Sequence, residues 1–135
     1  MLSYKVLHLS RESTVSTINR LDDEVLLVFD ENSILELEFE EILDEIEEII
    51  RDLNREEYLE KIYLYAKPLT NALKKIDNRG NVIENLNREE YLEVYTPLIC
   101  KSKYIENYFK ENQYWVLDKF IRMNEDKVEF NLLNL

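Results

Sequence analysis

The sequence predicts an α+β fold: a helical centre between an N-terminal and a C-terminal β-hairpin, the two hairpins meeting in one antiparallel sheet packed on the helices. Three observations predict it. Apolar residues alternate with polar ones at Leu35, Leu37 and Phe39, and again at Val128, Phe130 and Leu132; that is the period-two mark of a half-buried strand. Between them, Phe39, Ile42, Leu43, Ile46, Ile49, Ile50 and Leu53 make one wide apolar stripe at helical spacing. Finally, the phrase Ile50–Glu60 returns as Ile83–Glu93 with nine of eleven positions identical, and its content is a helix start. At 135 residues with 45% apolar content, the chain reads as a single domain, 1–135, large enough to bury a core.

Taken in order, Tyr4–Leu9 reads as a short strand. Ser10 is a helix cap, followed by a weakly amphipathic stretch from Ser13 to Leu21 through Val15 and Ile18. Val25–Phe29 is a continuous apolar run that fits a buried strand. Asp30-Glu31-Asn32-Ser33 has turn composition, so residues 25–39 form a predicted hairpin. The striped helix follows. In each copy of the repeated phrase an asparagine, Asn54 or Asn87, caps a helix. A glutamate three residues on, Glu57 or Glu90, closes the capping box. Leu53 with Tyr58, and Leu86 with Tyr91, supply the hydrophobic staple. A repeat of 33 residues invites a solenoid, but two copies are too few, and a shared capping signal is preferred to a pair of docking sites.

Pro68 ends the first capped helix, Leu69–Ile76 continues as another, and Pro97 ends the second. Asp77-Asn78-Arg79-Gly80-Asn81 is the clearest turn. Ser102 starts a helix through Tyr104, Ile105, Tyr108 and Phe109. Tyr114–Arg122 fits either period; the turn at Asn124–Lys127 and the alternation beyond it favour a strand, hence the C-terminal hairpin.

Charge is the one functional lead. Between Arg20 and Arg51 there are thirteen carboxylates and no base; over residues 22–60 there are 17 acids against two bases, in a chain of net charge −12. Such a field attracts basic partners and strains the fold by self-repulsion. On the predicted helix, Glu40, Asp44 and Glu48 stack in one row and Glu41 and Glu45 in the next; Glu36 and Glu38 continue the rows on the hairpin. Duplex nucleic acid presents similar closely spaced negative charge. The expected function is therefore a small acidic cytoplasmic binding protein, not an enzyme, that inhibits or neutralises a basic protein partner, such as a nucleic-acid enzyme or a nuclease-type toxin, in the style of a nucleic-acid mimic. Its expected contact residues are Glu36, Glu38, Glu40, Glu41, Asp44, Glu45 and Glu48. The alternative is a homodimer formed through the apolar helix face or the tyrosine-rich half, where eight of nine tyrosines lie, the acidic face serving solubility alone.

Other chemistry finds little support in the sequence. A calcium loop sets acids around a sharp glycine turn, and the acidic segment has no glycine, so no metal or other cofactor is expected. Asp30, Glu36 and Glu38 superficially suit a nuclease hairpin, but no lysine lies near them. His8 is the only histidine and Cys100 the only cysteine; both read as structural. No glycine-rich loop is present to cradle a phosphate. Direct nucleic-acid binding is opposed by the net charge, and no apolar run is long enough to span a membrane.

Overall fold

The computed structural model describes residues 2–18, 21–35 and 39–133. It has five strands in one mixed sheet, two more in a separate small sheet, and three α-helices among the described residues. In chain order the elements are β1 (Lys5–Leu9), β2 (Val25–Asp30), α1 (Phe39–Arg55), β3 (Ile62–Pro68), β4 (Leu73–Ile76), β5 (Val82–Leu86), β6 (Leu92–Lys101), α2 (Ser102–Glu111), α3 (Leu117–Met123) and β7 (Val128–Leu132). Short 3-10 turns occupy Val15–Ile18 and Arg88–Glu90.

The main sheet has the order β1-β2-β6-β3-β7. β1 and β2 run parallel, as do β3 and β7, and β6 lies antiparallel between β2 and β3. Four parallel strands therefore end at the same edge of the sheet, at Leu9, Asp30, Pro68 and Leu132.

Both faces are covered. On one side Ile42, Ile46, Ile49, Ile50 and Leu53 of α1 pack on Val25, Leu27, Tyr65 and Ile99. On the other, Tyr104, Ile105, Tyr108, Phe109, Trp115 and Phe120 pack on Leu26, Val28, Ile62, Leu64, Leu98 and Cys100. Side chains alternate across a strand, so Leu26 and Val28 face the second core while Val25 and Leu27 face the first. A strand buried on both faces has no polar side to show, which explains the unbroken run Val25–Phe29. Burying each aliphatic side chain contributes about 1.5–3 kcal/mol. Ile46 and Ile50 of α1 are each 1% exposed.

The α+β expectation is corrected by this architecture: the molecule is a mixed sheet covered by helices, not a helical centre with terminal hairpins. The predicted N-terminal hairpin is replaced because both edges of β2 are already taken, by β1 and β6. After Asp30 the chain turns and bonds to β6 instead: Ile34 forms an isolated bridge with Thr96, Leu35 N–H donates to Thr96 O, and Thr96 N–H to Ser33 O. Glu36, Leu37 and Glu38, which carried the alternation, lie outside the described residues.

The predicted helices after Asn54 and Asn87 are strands. A capping box offers local hydrogen bonds only, whereas Ile62–Ala66 and Leu98–Cys100 feed both cores at once. Asn54 sits near the end of α1, its Nδ2 donating to Ile50 O and Ser3 O. Asn87 does cap, but only the 3-10 turn, accepting from Glu89 N–H at 3.1 Å. Pro97 lies inside β6, after a cis peptide bond. The C-terminal hairpin is also overturned: Leu117, Phe120 and Ile121 face the core at helical spacing from α3, and β7 pairs parallel with β3.

Other readings hold. β1, β2, α1 and α2 lie where the sequence places them. The Asp77–Asn81 turn joins β4 to β5, with Gly80 at φ 83°, a conformation that favours glycine. Ser102 opens α2, although its hydroxyl donates to Asp22 O and accepts from Glu24 N–H rather than capping. No described helix is long and apolar enough to cross a membrane. Of the apolar stripe of α1, Ile42, Ile46, Ile49, Ile50 and Leu53 are buried inside the fold, while Leu43 is exposed.

Candidate functional site

In sheets of parallel strands, ligands bind beyond the carboxyl ends of the strands. Here the ends of β1 and β2 are tied together, Glu31 N–H donating to Leu9 O at 2.9 Å, and loops from both strands open onto a cavity of about 230 Å³. Arg11, Asp30, Asn32, Ser33 and Asp118 supply its polar wall; Val94, Leu117 and Ile121 supply an apolar one.

The turn after β1 presents Arg11. Ser13 N–H donates to Ser10 O, and Ser10 N–H returns to Ser13 Oγ at 2.9 Å. The Arg11 side chain makes no hydrogen bond or ion pair with the described residues and is exposed. Asp30 ends β2 and is buried. Its N–H donates to Thr96 Oγ1 at 3.0 Å. Its carboxylate accepts from Asn32 N–H at 2.9 Å on Oδ1 and from the Trp115 indole N–H at 2.7 Å on Oδ2. Asp118, in the first turn of α3, pairs with Arg122 at 2.8 Å.

A second cavity, about 280 Å³, lies on the α1 side of the same strand ends. His8 stacks on Phe29 there, with ring centroids 5.3 Å apart and planes 17° apart. A third cavity, about 610 Å³, opens at the other end of the sheet beside Tyr58, Arg55, Lys101 and Lys103. Size does not make it the better site, because its cations are already engaged. Lys101 donates to Glu56 O and Glu57 O, Lys103 pairs with Glu60 at 2.9 Å, and Arg55 pairs with Asp52 at 2.7 Å.

The carboxylates expected to bind a partner are elsewhere. Glu40, Glu41, Asp44, Glu45 and Glu48 are exposed on α1, across the sheet from α3. Glu36 and Glu38 lie outside the described residues. Asp30, considered with them for a nuclease hairpin, is separated from α1 by the turn and is held by Trp115. Among the described residues no three acid, histidine or cysteine groups converge as metal ligands. Cys100 is fully buried on β6, and burial pushes its thiol far up, which leaves it inert.

Arg11, Asn32, Ser33 and Asp118 escape a sequence reading because more than a hundred residues separate the first from the last. One signal was present: a polar residue, Asp30, directly after a doubly buried apolar run marks the carboxyl end of an inner strand.

No protein-family model matches the chain, and no curated protein matches it. Among solved structures it is similar to 4-diphosphocytidyl-2C-methyl-D-erythritol synthase from Anaerococcus prevotii, at 20% identity, with a TM-score of 0.57, over 88% of this chain and 54% of that one. It is also similar to a second 4-diphosphocytidyl-2C-methyl-D-erythritol synthase, at 15% identity, with a TM-score of 0.53, over 89% of this chain and 50% of that one. The chain thus spans about half the length of these structures. At such identity the likeness is one of fold. It nevertheless corrects the ground for expecting a non-enzymatic protein: two solved synthases share this fold, and the scarcity of histidine, cysteine and glycine no longer argues against an enzyme.

Proposed function

We propose that the chain forms part of a nucleotidyltransferase-type enzyme and binds a cytidine nucleotide at the cavity beyond β1 and β2. The observation that carries this reading is Arg11, a cation with no partner among the described residues, facing that cavity in a chain whose net charge is −12. A guanidinium presents paired N–H donors to phosphate oxygens. Asp30 and Asp118 are acceptors for the hydroxyl groups of a ribose or sugar alcohol, and Asn32 and Ser33 add short polar side chains. The apolar wall of Val94, Leu117 and Ile121 excludes water from one side. The names of the similar structures, synthases of a diphosphocytidyl compound, suggest the base. With a single glycine, in the β4–β5 turn, the chain holds phosphate by side chain rather than by a glycine-rich loop.

Calorimetric titration with cytidine triphosphate tests the reading. Binding by the wild type, weakened at least about tenfold in Arg11→Ala, is the expected result. No binding at millimolar nucleotide, or equal binding by both proteins, would refute it.

A second reading concerns the opposite face, and adds to the pocket rather than replacing it. We propose that α1 docks a basic protein partner, as its charge suggests. Glu40, Glu41, Asp44, Glu45 and Glu48 form no ion pair with the described residues; α1 pairs only Arg51 with Glu47 and Arg55 with Asp52. A variant carrying Glu40→Lys, Asp44→Lys and Glu48→Lys should lose a partner that salt also releases. Equal capture by folded wild type and variant would sink this second reading.

A further inference from the structure

We infer that Trp115 is the positioning residue of this cavity: one side chain and its own backbone amide hold Asp30 and the Arg11 turn against α3, setting the polar wall in a single arrangement. The inference rests on the ligand-binding reading of the cavity and deepens it.

Trp115 is the only tryptophan, is fully buried, and lies between α2 and α3. Its ring packs against Tyr108 and Phe120, with centroids 5.1 and 5.3 Å away. Phenylalanine would serve that packing. What the indole adds is one donor, and the donor goes to Asp30 Oδ2, 85 residues away in the chain. The Trp115 backbone N–H donates to Ser13 O at 2.9 Å, gripping the turn that presents Arg11. The flanking residues are themselves fixed: Tyr108 Oη accepts from Val116 N–H at 2.8 Å and donates to Tyr114 O. Val116 then leads directly into α3 and Asp118. Three walls that are distant in sequence thus meet at one residue.

Asp30 makes this arrangement more than packing. A buried carboxylate is costly unless its oxygens are satisfied, and an aliphatic residue at the end of β2 would be cheaper. With the Asn32 amide on Oδ1 and the indole on Oδ2, the carboxylate is locked in plane and offers its remaining lone pairs in one fixed orientation. Without the indole, Oδ2 seeks a donor elsewhere, and the nearest open space is the cavity.

The test is Trp115→Phe, which keeps a ring in the aromatic cluster and removes the N–H. Amide NMR spectra of the ligand-free protein should shift at Asp30–Ser33, where the indole bond is lost, and stay unchanged at Arg11–Ser13, which the retained backbone N–H still grips, and in α1 and β4–β5. In calorimetry with cytidine triphosphate, binding should weaken about tenfold. Asp30→Asn, which probes the same bond from the other side should Trp115→Phe not fold, should weaken it comparably. The double variant should be no weaker than the worse single one, because both changes break one contact. Amide shifts confined to Tyr108, Phe109 and Phe120, wild-type affinity in Trp115→Phe, or losses that multiply in the double variant would each overturn the inference. A wild type that fails to bind the nucleotide would instead remove the ligand reading, while the ligand-free spectra still decide whether Trp115 positions these walls.

Discussion

Replacing Ile50 by alanine separates a helix stripe that builds the core from one that joins two copies. Ile50 is 1% exposed and packs with Ile46 and Leu53 in the core under α1. The substitution removes three carbons, worth about 0.8 kcal/mol each in transfer alone, or about 2.4 kcal/mol. The unfilled cavity raises the loss to about 3–4 kcal/mol. At about 2.1 cal/mol/K per residue, unfolding a chain of 135 residues carries an entropy near 0.28 kcal/mol/K, so Tm should fall by about 11–14 °C. Leu43, on the same helix but 38% exposed, should lose no more than about 1 kcal/mol on truncation to alanine. The assay is thermal unfolding followed by circular dichroism at several protein concentrations. A drop of less than about 4 °C for Ile50→Ala, or a wild-type Tm that climbs with concentration while Ile50→Ala abolishes the climb, would refute the core assignment and restore the stripe as an interface.

Two further outcomes follow from named contacts. Asn54→Ala should destabilise the protein by about 1 kcal/mol, since it loses bonds to Ile50 O and Ser3 O, while Asn87→Ala, at an exposed 3-10 turn, should cost a few tenths; equal losses in chemical denaturation would favour two equivalent helix caps. The Asp77 carboxyl is held below the ordinary carboxylate range, chiefly by the Asn81 and Arg79 amides. A depressed folded value means the turn gains stability above the ordinary aspartate pKa and loses it as pH falls through the lowered one. Amide shifts at Arg79 and Asn81 should therefore titrate below that ordinary value, and a midpoint at or above it would contradict the geometry.

Legibility in the sequence followed locality. β1, β2, α1, α2 and the Asp77–Asn81 turn each declare themselves within a short local segment, by an apolar run, a stripe or a turn composition. β3 and β6 do not, because what makes Ile62–Ala66 and Leu98–Cys100 strands is the presence of two cores, one on each side. The two copies of the repeated phrase make the point most sharply. Nearly the same residues end a long helix at Asn54 and cap a single 3-10 turn at Asn87, since their neighbours in space differ. Tyr114–Arg122 fits either period, and the turn at Asn124–Lys127 with the alternation beyond it favours a strand; what makes α3 a helix is the packing of Leu117, Phe120 and Ile121 on the core, which lies outside the local sequence. The candidate site suffered likewise: the sequence drew attention to the carboxylates of α1, where acids are dense, whereas the cavity draws single residues from three distant segments.

The place of β6 bears on how the protein is made. β2 and β3 run parallel with a strand's width between them, and the strand that fills the gap comes later than both. On the ribosome, Val25–Asp30 and Ile62–Pro68 emerge with facing edges unpaired until Lys101 has been added. At about 5–20 residues per second, the 33 residues from Pro68 to Lys101 take roughly 2–7 s. For that interval two largely apolar strands carry unpaired edges, the kind of backbone on which strands of other nascent chains can pair.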